Sequence, residues 1–401
     1  MAAPALFDPL TPAALHDPYP QFDRIRETAP VTWHPALGAW LVSQHAECQE
    51  VLRDHTRFAR DPRRVGGEIG ADLDNIQVQD PPDQARLRRS IMRALHAQDL
   101  DRICEEAGRA ARRALLGRGG GPPFDVMAEI AAPAAMKIIN TTLGVDHYTA
   151  AGYLPLFTAL TRAMDSGLDP ERLADGVAAG AELRRVVADW VRDGEPAAMI
   201  AAALDGDTLA REEELQLISS LAGVYNAGFS TTYAMTGALT ALAVRRPEVL
   251  DAFRALDGSE ARSRAAHELL RFLSPAQATS RYAAVDTTLR GNPIAAGDVV
   301  ITLLAAANRD PRVFADPGTI DLGRRHNPHL AFAWGPHVCL GSALALSWIE
   351  VYTEVLLDLA PRLSLTGEAR FLDSATLRAT AHLPVRVSTP SHPASPESAS
   401  C

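Results

Sequence analysis

The longest helical pattern in the chain runs from Glu212 to Arg246, and no proline interrupts it before Pro247. At about 1.5 Å per residue, such a helix is roughly 50 Å long and can cross a whole globular molecule. Its middle, residues 222–232, is rich in glycine and hydroxyl side chains, although a glycine inside a helix is destabilising by about 1 kcal/mol. The pattern therefore predicts that something approaches this backbone closely, either a packed neighbouring helix or a bound group.

Shorter helices and a few strands are predicted around this long helix. Apolar residues recur at helical spacing in other segments, namely 45–54, the segment after Asp80, 150–164, 171–193 and the segment that ends near Pro275. Short β-prone runs occur at 31–33, 39–42 and 299–304. Residues 61–80 and 117–123 are rich in glycine or charge and are predicted to be loops. The expected fold class is mainly α with minor β.

Composition and charge exclude several classes of protein. The chain has 401 residues, of which 47% are apolar and 22% charged, so it can bury a large core, and no glycine–serine or charge block marks a linker. A net charge of −10 disfavours nucleic acid or an anionic membrane as a partner. The proline-broken N-terminus carries no signal or anchor pattern, and residues 389–401 are low in complexity and expected to be disordered.

The four cysteines are Cys48, Cys104, Cys339 and Cys401, and they show neither metal-clip spacing nor a disulfide framework. This usage fits a reducing cytoplasm. Cys339 stands apart, because it lies in a turn-rich loop with Gly341 just after it, and a helical pattern begins there. Glycine lets backbone N–H groups point at a sulfur, and a helix N-terminus adds positive partial charge, so the loop can hold a thiolate. From the residues alone, Cys339 is a structural thiol, a nucleophile or a metal ligand.

The cysteine belongs to a longer pattern, Phe332-x-x-Gly335-x-His337-x-Cys339-x-Gly341. This pattern resembles the haem-binding signature of the cytochrome P450 family, the haem-thiolate monooxygenases. The resemblance implies that Cys339 is the axial ligand of a haem iron, that Phe332 packs near the sulfur and that His337 meets a haem propionate.

Other positions resemble the family's propionate contacts. Arg88 lies on the apolar side of its helix, which by itself favours a surface or salt-bridged arginine, although a buried anion can also hold it there. The resemblance makes Arg88 a propionate ligand, Arg281 a second one and His329 a further candidate donor. Gln84 stands where the family often has histidine, which implies a weaker or different haem contact.

Residues 227–232, Ala-Gly-Phe-Ser-Thr-Thr, resemble the family's oxygen-activation motif, in which an acidic residue precedes a threonine. The resemblance implies that Ala227 and Gly228 open a groove for dioxygen and that Thr231 orients a proton-relay water. Ser230 replaces the acid, and a serine can pass a proton but cannot supply a carboxylate's charge. Three outcomes are possible, ranked in this order: monooxygenation with a relay completed by water or substrate, peroxide-driven chemistry, or one-electron coupling.

Asn226 shares a helical face with Ala227, Ser230 and Thr231 and is expected to face the substrate. By resemblance, the further substrate contacts are Gln277, Thr279 and Thr380.

Glu268 and Arg271 lie three positions apart in a predicted helix and, taken alone, form an ordinary surface pair. The resemblance implies instead a buried pair that is joined by Arg324 and supports the cysteine loop.

The sequence as a whole is identified as a member of the soluble bacterial type of cytochrome P450. We expect residues 1–401 to form a single domain, monomeric and cytoplasmic, with haem b between the long helix and the Cys339 loop. The expected reaction inserts one oxygen atom from dioxygen into a small or medium organic substrate. Electrons are expected from NAD(P)H through a separate ferredoxin or flavodoxin system, and the arginine stripe Arg86, Arg89 and Arg93 is either a docking patch or a solvated face. The alternatives are a peroxide-driven or coupling enzyme and a non-catalytic haem sensor.

Overall fold

The structure is a computed structural model that describes residues 7–193 and 210–389. The predicted disordered tail therefore lies, from residue 390 onward, outside the described residues. The helices, in chain order, are α1 (Pro12–His16), α2 (Tyr19–Thr28), α3 (His45–Arg53), α4 (Gln84–His96), α5 (Leu100–Gly117), α6 (Ala132–Leu143), α7 (Ala150–Ala163), α8 (Arg172–Asp193), α9 (Arg211–Arg245), α10 (Pro247–Arg254), α11 (Ser259–Leu273), α12 (Leu304–Ala307) and α13 (Ser342–Leu359).

The strands are short and occupy little of the chain. They are β1 (Val31–His34), β2 (Ala39–Val42), β3 (Phe58–Ala59), β4 (Phe124–Asp125), β5 (Thr279–Ala283), β6 (Thr287–Leu289), β7 (Asn292–Ile294), β8 (Val299–Thr302), β9 (Leu363–Leu365), β10 (Arg370–Phe371), β11 (Thr380–His382) and β12 (Pro384–Val387). Helices thus supply most of the core, and the sheets lie beside them.

The long helix α9 lies at the centre of the helical core. Three consecutive acidic residues, Glu212 to Glu214, occupy its first turn, where carboxylates interact favourably with the helix dipole. It ends before Pro247, which cannot continue a helix. Most of its side chains from Leu217 to Ala243 are buried. The predicted helix of residues 212–246 is therefore present with its ends shifted by one residue.

Two buried hydrogen bonds fasten α9 to α13, the helix that follows the cysteine loop. Trp348 Nε1 donates to Thr236 Oγ1 at 3.0 Å, and the hydroxyls of Thr240 and Tyr352 lie 2.8 Å apart. All four side chains are almost completely buried. These bonds fix the helix that starts beside Cys339 against the long helix that carries the glycine and hydroxyl residues.

Close packing explains the glycines of α9. A Cβ on Gly228 would lie 2.6 Å from Ile139 Cδ1 of α6, and one on Gly237 would lie 2.5 Å from Met127 Sδ. Real Cβ atoms do not approach other atoms so closely, so a larger residue at either position would require the Ile139 or Met127 side chain to move. Helix packing, one of the two alternatives left open by the sequence, is therefore present at Gly228.

The largest sheet has five strands in the order β1-β2-β8-β5-β3. β5 pairs antiparallel with β8, with Thr279 opposite Thr302 and Arg281 opposite Val300. The strand predicted for residues 299–304 ends earlier, at Thr302, because Leu304 begins the short buried helix α12. This sheet holds Thr279 and Arg281 in a fixed register next to the helical core.

Residues 61–80 form a loop, apart from a single 3-10 turn at Pro62–Val65. The loop is tied to α9, since Ile76 N–H donates to Ser220 Oγ at 3.1 Å and Gln216 Nε2 donates to Asp74 Oδ2 at 3.0 Å. The predicted loop is present, and its second half is anchored to the long helix. No helix among the described residues has the length and apolar character needed to span a membrane.

Candidate active site

Cys339 lies between a 3-10 turn at Gly335–His337 and the first turn of α13. Its backbone N–H donates to Phe332 O at 2.9 Å, which folds the loop back on itself. Gly335 has φ +73°, and a Cβ there would lie 2.5 Å from the carbonyl oxygen of Leu52, so only glycine fits this turn. The loop therefore holds Cys339 at one defined position at the start of α13.

The Cys339 thiol is accessible but lies deep in the protein. Burial raises its pKa, while the Gly341 N–H that hydrogen-bonds to the sulfur and the charge of Arg88 act to lower it. A side chain that is accessible and yet strongly desolvated faces an internal space rather than the outer surface. Binding to a metal ion favours the thiolate, which is the form of cysteine that ligates metals.

Arg88 reaches from α4 to the cysteine loop. Its Nη2 donates to the carbonyl oxygen of Val338, the residue before Cys339. Burial lowers the pKa of Arg88, and the nearby thiolate form of Cys339 partly offsets that effect. Arg88 thus reaches the cysteine loop from α4, and its role as a propionate ligand stays a prediction.

His337 is held by two protein side chains. Its Nδ1 accepts from Gln84 Nε2 at 3.0 Å, and its Nε2 donates to Asp80 Oδ1 at 2.9 Å. Burial lowers its pKa, so the ring is neutral at pH 7. Both ring nitrogens thus have protein partners in this structure, and the propionate contact of His337 stays a prediction. Gln84, which stands where the family often has histidine, contacts His337.

Asp80 organises this corner of the site, although no sequence motif singles it out. Burial acts to raise its pKa, but hydrogen bonds from His337 and from the backbone N–H groups of Asp61 and Arg60 outweigh it and lower the pKa. These N–H groups lie 3.0 and 2.8 Å from Asp80 Oδ2. Asp80 is therefore a buried carboxylate with its hydrogen-bonding capacity largely filled.

His329 also has protein partners for its ring nitrogens. Its Nε2 lies 2.9 Å from His267 Nδ1, and its Nδ1 accepts from the Ala331 N–H at 3.3 Å. Burial, followed by repulsion from His267, lowers its pKa to about 3. Its ring also contacts that of Phe332. In this structure His329 packs beneath the loop, and its role as a propionate donor stays a prediction.

The hydroxyls of Ser230 and Thr231 share one acceptor. Ser230 Oγ and Thr231 Oγ1 donate to the Ala227 carbonyl at 3.2 and 2.9 Å. Ser230 is buried, whereas Ala227 and Thr231 are partly accessible. Ser230 and Thr231, the relay pair predicted from the sequence, therefore lie at adjacent positions of α9, and both hydroxyl protons point back along the helix to Ala227 O.

Asn226 lies on the same half-buried stretch of α9, and Tyr153 of α7 fixes its orientation. The Tyr153 hydroxyl donates to Asn226 Oδ1 at 3.0 Å. Tyr153 is buried, and burial raises its pKa, so it remains a protonated donor. The amide nitrogen of Asn226 makes no hydrogen bond to another described residue, which leaves it able to donate to a ligand.

The other predicted substrate contacts occupy different surroundings. Gln277 is buried, its Nε2 donates to Ser274 O, and its Oε1 has no hydrogen-bond partner among the described residues. Thr279 Oγ1 accepts from Arg60 Nη1 at 2.6 Å. Thr380 faces a cavity of about 200 Å³ whose lining includes Ala234, Ala238, Leu273, Phe371 and Arg378. Ala234 and Ala238 lie one and two turns beyond Thr231, so this cavity borders the face of α9 that carries the relay pair.

The predicted ion-pair group is buried. Arg271 donates to both carboxylate oxygens of Glu268, at 2.7 and 2.8 Å, and Arg324 Nε donates to Glu268 Oε2 at 3.0 Å. Glu268 and Arg271 are fully buried. Arg271 also donates to backbone carbonyls of Asn308 and Pro317. The group therefore connects α11 to the long loop that leads to Cys339.

Known proteins resemble this chain in sequence and in fold. A family model described as Cytochrome P450 matches residues 263–358. Nocardicin C N-oxygenase of Nocardia uniformis subsp. tsuyamanensis is 34% identical over 373 residues, covering 86% of this chain and 89% of its own. A putative cytochrome P450 126 of Mycobacterium tuberculosis is 33% identical over 371 residues, covering 85% of this chain and 87% of its own. The structure of an epothilone B-bound cytochrome P450epoK matches with a TM-score of 0.81 and 26% identity, covering 96% of this chain and all of that one.

The chain therefore belongs to the cytochrome P450 family, and the predicted fold class is confirmed. It is a haem-thiolate oxidoreductase of the monooxygenase type. The residues present fit such a group, because an accessible cysteine meets a backbone N–H and the desolvated cations Arg88 and Arg281 could pair with the haem carboxylates.

Proposed function

We propose that this protein is a haem b monooxygenase that inserts one oxygen atom from dioxygen into a small or medium organic substrate. Electrons come from NAD(P)H through a separate ferredoxin and its reductase. The observation that carries the proposal is the setting of Cys339, an accessible thiol with the Gly341 N–H at its sulfur and Arg88 nearby. A haem bound there supplies oxygen activation, and the thiolate ligand favours O–O cleavage.

The protein's own residues position the reactants and move protons. Arg88 and Arg281 bind the haem carboxylates through charge-assisted hydrogen bonds. Thr231 and Ser230 donate their own protons to Ala227 O and keep their hydroxyl lone pairs available, so each can accept a hydrogen bond from a relay water and hold that water in place. No carboxylate is needed at position 230 if water or a substrate hydroxyl completes this chain.

The polar groups that face the ligand indicate the substrate class. Asn226 Nδ2 offers a hydrogen-bond donor and Gln277 Oε1 an acceptor without a partner. A buried polar atom without a partner costs about 1–3 kcal/mol, which a matching ligand group recovers. We infer a substrate that combines an apolar body with at least one donor and one acceptor. One relative is a nocardicin C N-oxygenase, and one structure with the same fold is a cytochrome P450 bound to epothilone B.

Partner, compartment and assembly follow from the same proposal. Arg86, Arg89 and Arg93 are exposed on α4, the helix whose inner side carries Arg88, and together they offer a basic surface to an acidic ferredoxin or flavodoxin. Cys48, Cys104 and Cys339 are free thiols, which supports a reducing cytoplasm. We propose that the protein works there as a monomeric, single-domain enzyme.

The test of the proposed function is spectroscopic first and catalytic second. The reduced protein under carbon monoxide is expected to show the red-displaced Soret band of a thiolate-ligated haem, and Cys339→Ser is expected to abolish it while Cys401→Ser retains it. A panel of terpenoids, macrolides and aromatic acids is then screened for a substrate-induced spin shift and for product. An unaltered spectrum in Cys339→Ser contradicts the assignment of the ligand.

Peroxide-driven oxygenation is a second candidate, because Ser230 stands where the family has an acid. The two are separated by comparing turnover with a ferredoxin system and with hydrogen peroxide on the same substrate. Faster turnover with peroxide favours the second candidate. A protein that gives no spin shift and no product with either oxidant is a haem-binding or sensor protein instead.

A further inference from the structure

A second arginine lies beside Arg281 in the interior. Strand β3 pairs antiparallel with β5, and Arg60 follows directly after the end of β3. Arg60 Nη1 donates to Thr279 Oγ1 at 2.6 Å and to the Ser280 carbonyl at 3.2 Å. Arg281 Nη1 donates to the same two atoms, at 3.5 and 2.7 Å. Two guanidinium groups are thus held side by side on shared acceptors.

This arrangement is unfavourable without an anion. Burial, followed by repulsion from Arg60, lowers the pKa of Arg281 to about 9, and burial lowers the pKa of Arg60 as well. Asp80 is the acid near both, but its oxygens are taken up by His337 and by backbone N–H groups. Within residues 7–193 and 210–389, neither arginine forms a salt bridge. The two cations therefore lack a counter-charge of their own.

A haem carboxylate would supply the missing counter-charge at this corner. Arg60 and Arg281 carry two positive charges, and Asp80, the acid near both, carries one negative charge, which leaves an excess of one. One haem propionate carries one negative charge and offsets this excess. Because an uncompensated buried charge is costly, the pair of arginines favours such an anion.

We propose that Arg60 and Arg281 together hold one haem propionate, and that Arg60 is a cofactor-binding residue outside the family signature. Nε and Nη2 of Arg60 make no hydrogen bond to a described residue, so they can donate to a carboxylate in the paired geometry that guanidinium favours. Arg60 also holds Thr279 Oγ1, so it connects the haem edge to a proposed substrate contact. This inference rests on the proposed haem b function.

The test measures haem binding rather than turnover. Haem release from the ferric holoenzyme to excess apomyoglobin is compared for the wild type, Arg60→Gln and the matched control Arg64→Gln. Arg64 is an exposed arginine nearby that donates only to the carbonyls of His55 and Thr56. We expect release about tenfold faster in Arg60→Gln, in line with the loss of a charge-assisted hydrogen bond, and no change in Arg64→Gln.

The reduction potential gives a second readout. A cation at the haem edge favours the reduced iron, so Arg60→Gln is expected to lower the ferric–ferrous potential while Arg60→Lys largely preserves it. Arg281→Gln and the double variant test whether the two arginines share one carboxylate. Their effects on the logarithm of the release rate are expected to be non-additive, because neighbouring residues that share a partner are coupled. Additive effects on the release rate would contradict the proposal that the two arginines share one carboxylate.

A carboxylate of the substrate is the competing source of negative charge. Dodecanoic acid and its methyl ester are therefore titrated against each variant by the spin shift. If Arg60→Gln releases haem at the wild-type rate, the inference is overturned, and weaker binding of the acid alone then assigns Arg60 to the substrate. A normal thiolate–carbon monoxide band in that variant leaves the proposed function intact.

Discussion

At the scale of single residues, the two hydroxyls on α9 decide how protons reach the oxygen. Ser230 and Thr231 donate to the same carbonyl of Ala227, so neither is committed to a distant partner. Thr231 is the more accessible of the two. It is therefore the residue better placed to exchange its proton with a water.

We predict that Thr231→Val lowers the product formed per NAD(P)H about tenfold and raises hydrogen peroxide release, because a methyl group cannot hold the relay water. Valine keeps the shape of threonine, so haem content should not change. Thr232→Val is the control, since Thr232 is the next residue and is buried. Parallel assays of product, NAD(P)H and peroxide check this, and unchanged coupling in Thr231→Val rules out the assigned role.

A second residue-scale prediction concerns His329. Its folded-state pKa of about 3 lies below the roughly 6.5 of an unfolded histidine. Between those values, the unfolded chain binds a proton that the folded protein does not, so stability falls as pH decreases by up to about 1.4 kcal/mol per pH unit. His329→Asn removes this contribution.

Urea unfolding of His329→Asn between pH 6.5 and 4 is therefore expected to show a flatter pH dependence than the wild type. His326→Asn, at an exposed position three residues earlier, should follow the wild type. Identical slopes for His329→Asn and the wild type contradict the prediction.

At the scale of elements, the Glu268 group joins α11 to the loop that carries the cysteine. Three side chains and several backbone carbonyls meet inside the protein, and Glu268 is the acceptor for both arginines. It also accepts the Asp321 N–H at 2.9 Å. One carboxylate thus holds the loop at Asp321 and Arg324 against α11.

Glu268→Ala leaves Arg271 and Arg324 buried without a counter-charge, and we predict a loss of about 3–5 kcal/mol in the free energy of unfolding. The matched control is Glu354→Ala, which breaks the partly exposed pair with Arg262 and should cost less than about 1 kcal/mol. Denaturant titrations of both variants, with haem content recorded, give the comparison. Equal losses of unfolding free energy in the two variants would contradict a larger contribution of the buried Glu268 group to stability.

At the scale of the whole molecule, the segment between α7 and α8 is hydrogen-bonded to the turn formed by residues 373–376. Buried Asp165 accepts from Ser374 Oγ, Thr376 Oγ1 and the N–H groups of Ala375 and Thr376, at 2.7 to 3.1 Å. Seven residues later, Arg172 donates to both carboxylate oxygens of Asp373 at 2.9 Å. The connection between the two helices is thereby held closed against the rest of the protein.

We predict that Asp165→Ala speeds both association and dissociation of a substrate several-fold, because the freed turn no longer holds α7 and α8 in place. Each donor left without a partner costs about 1–3 kcal/mol if it stays buried, which favours local opening. Asp175→Ala, exposed on α8, is the control. Stopped-flow spin-shift kinetics and hydrogen exchange of residues 374–376 measure the effect, and unchanged exchange there argues against a fastening role.

Sequence motifs predicted much of the candidate site, because each motif combines local geometry with specific chemistry. The pattern around Cys339, the length of α9 and the placement of Arg88 all depend on residues close together in sequence. Asp80, Arg60 and Asp165 had no such signal, since each acquires its partners from segments far away in the chain. His337 and His329 are predicted from the motif to contact the haem, but their hydrogen-bond partners Asp80, Gln84 and His267 are brought near only by folding.

The sequence by itself determined the helices, the cysteine loop and the family, because periodicity and turn chemistry act over a few residues. Only the tertiary structure decided which charged groups face one another and which buried polar atoms have no hydrogen-bond partner. The reason is physical: a guanidinium or carboxylate takes its protonation and its partner from everything packed around it, and in the interior those neighbours come from all parts of the chain.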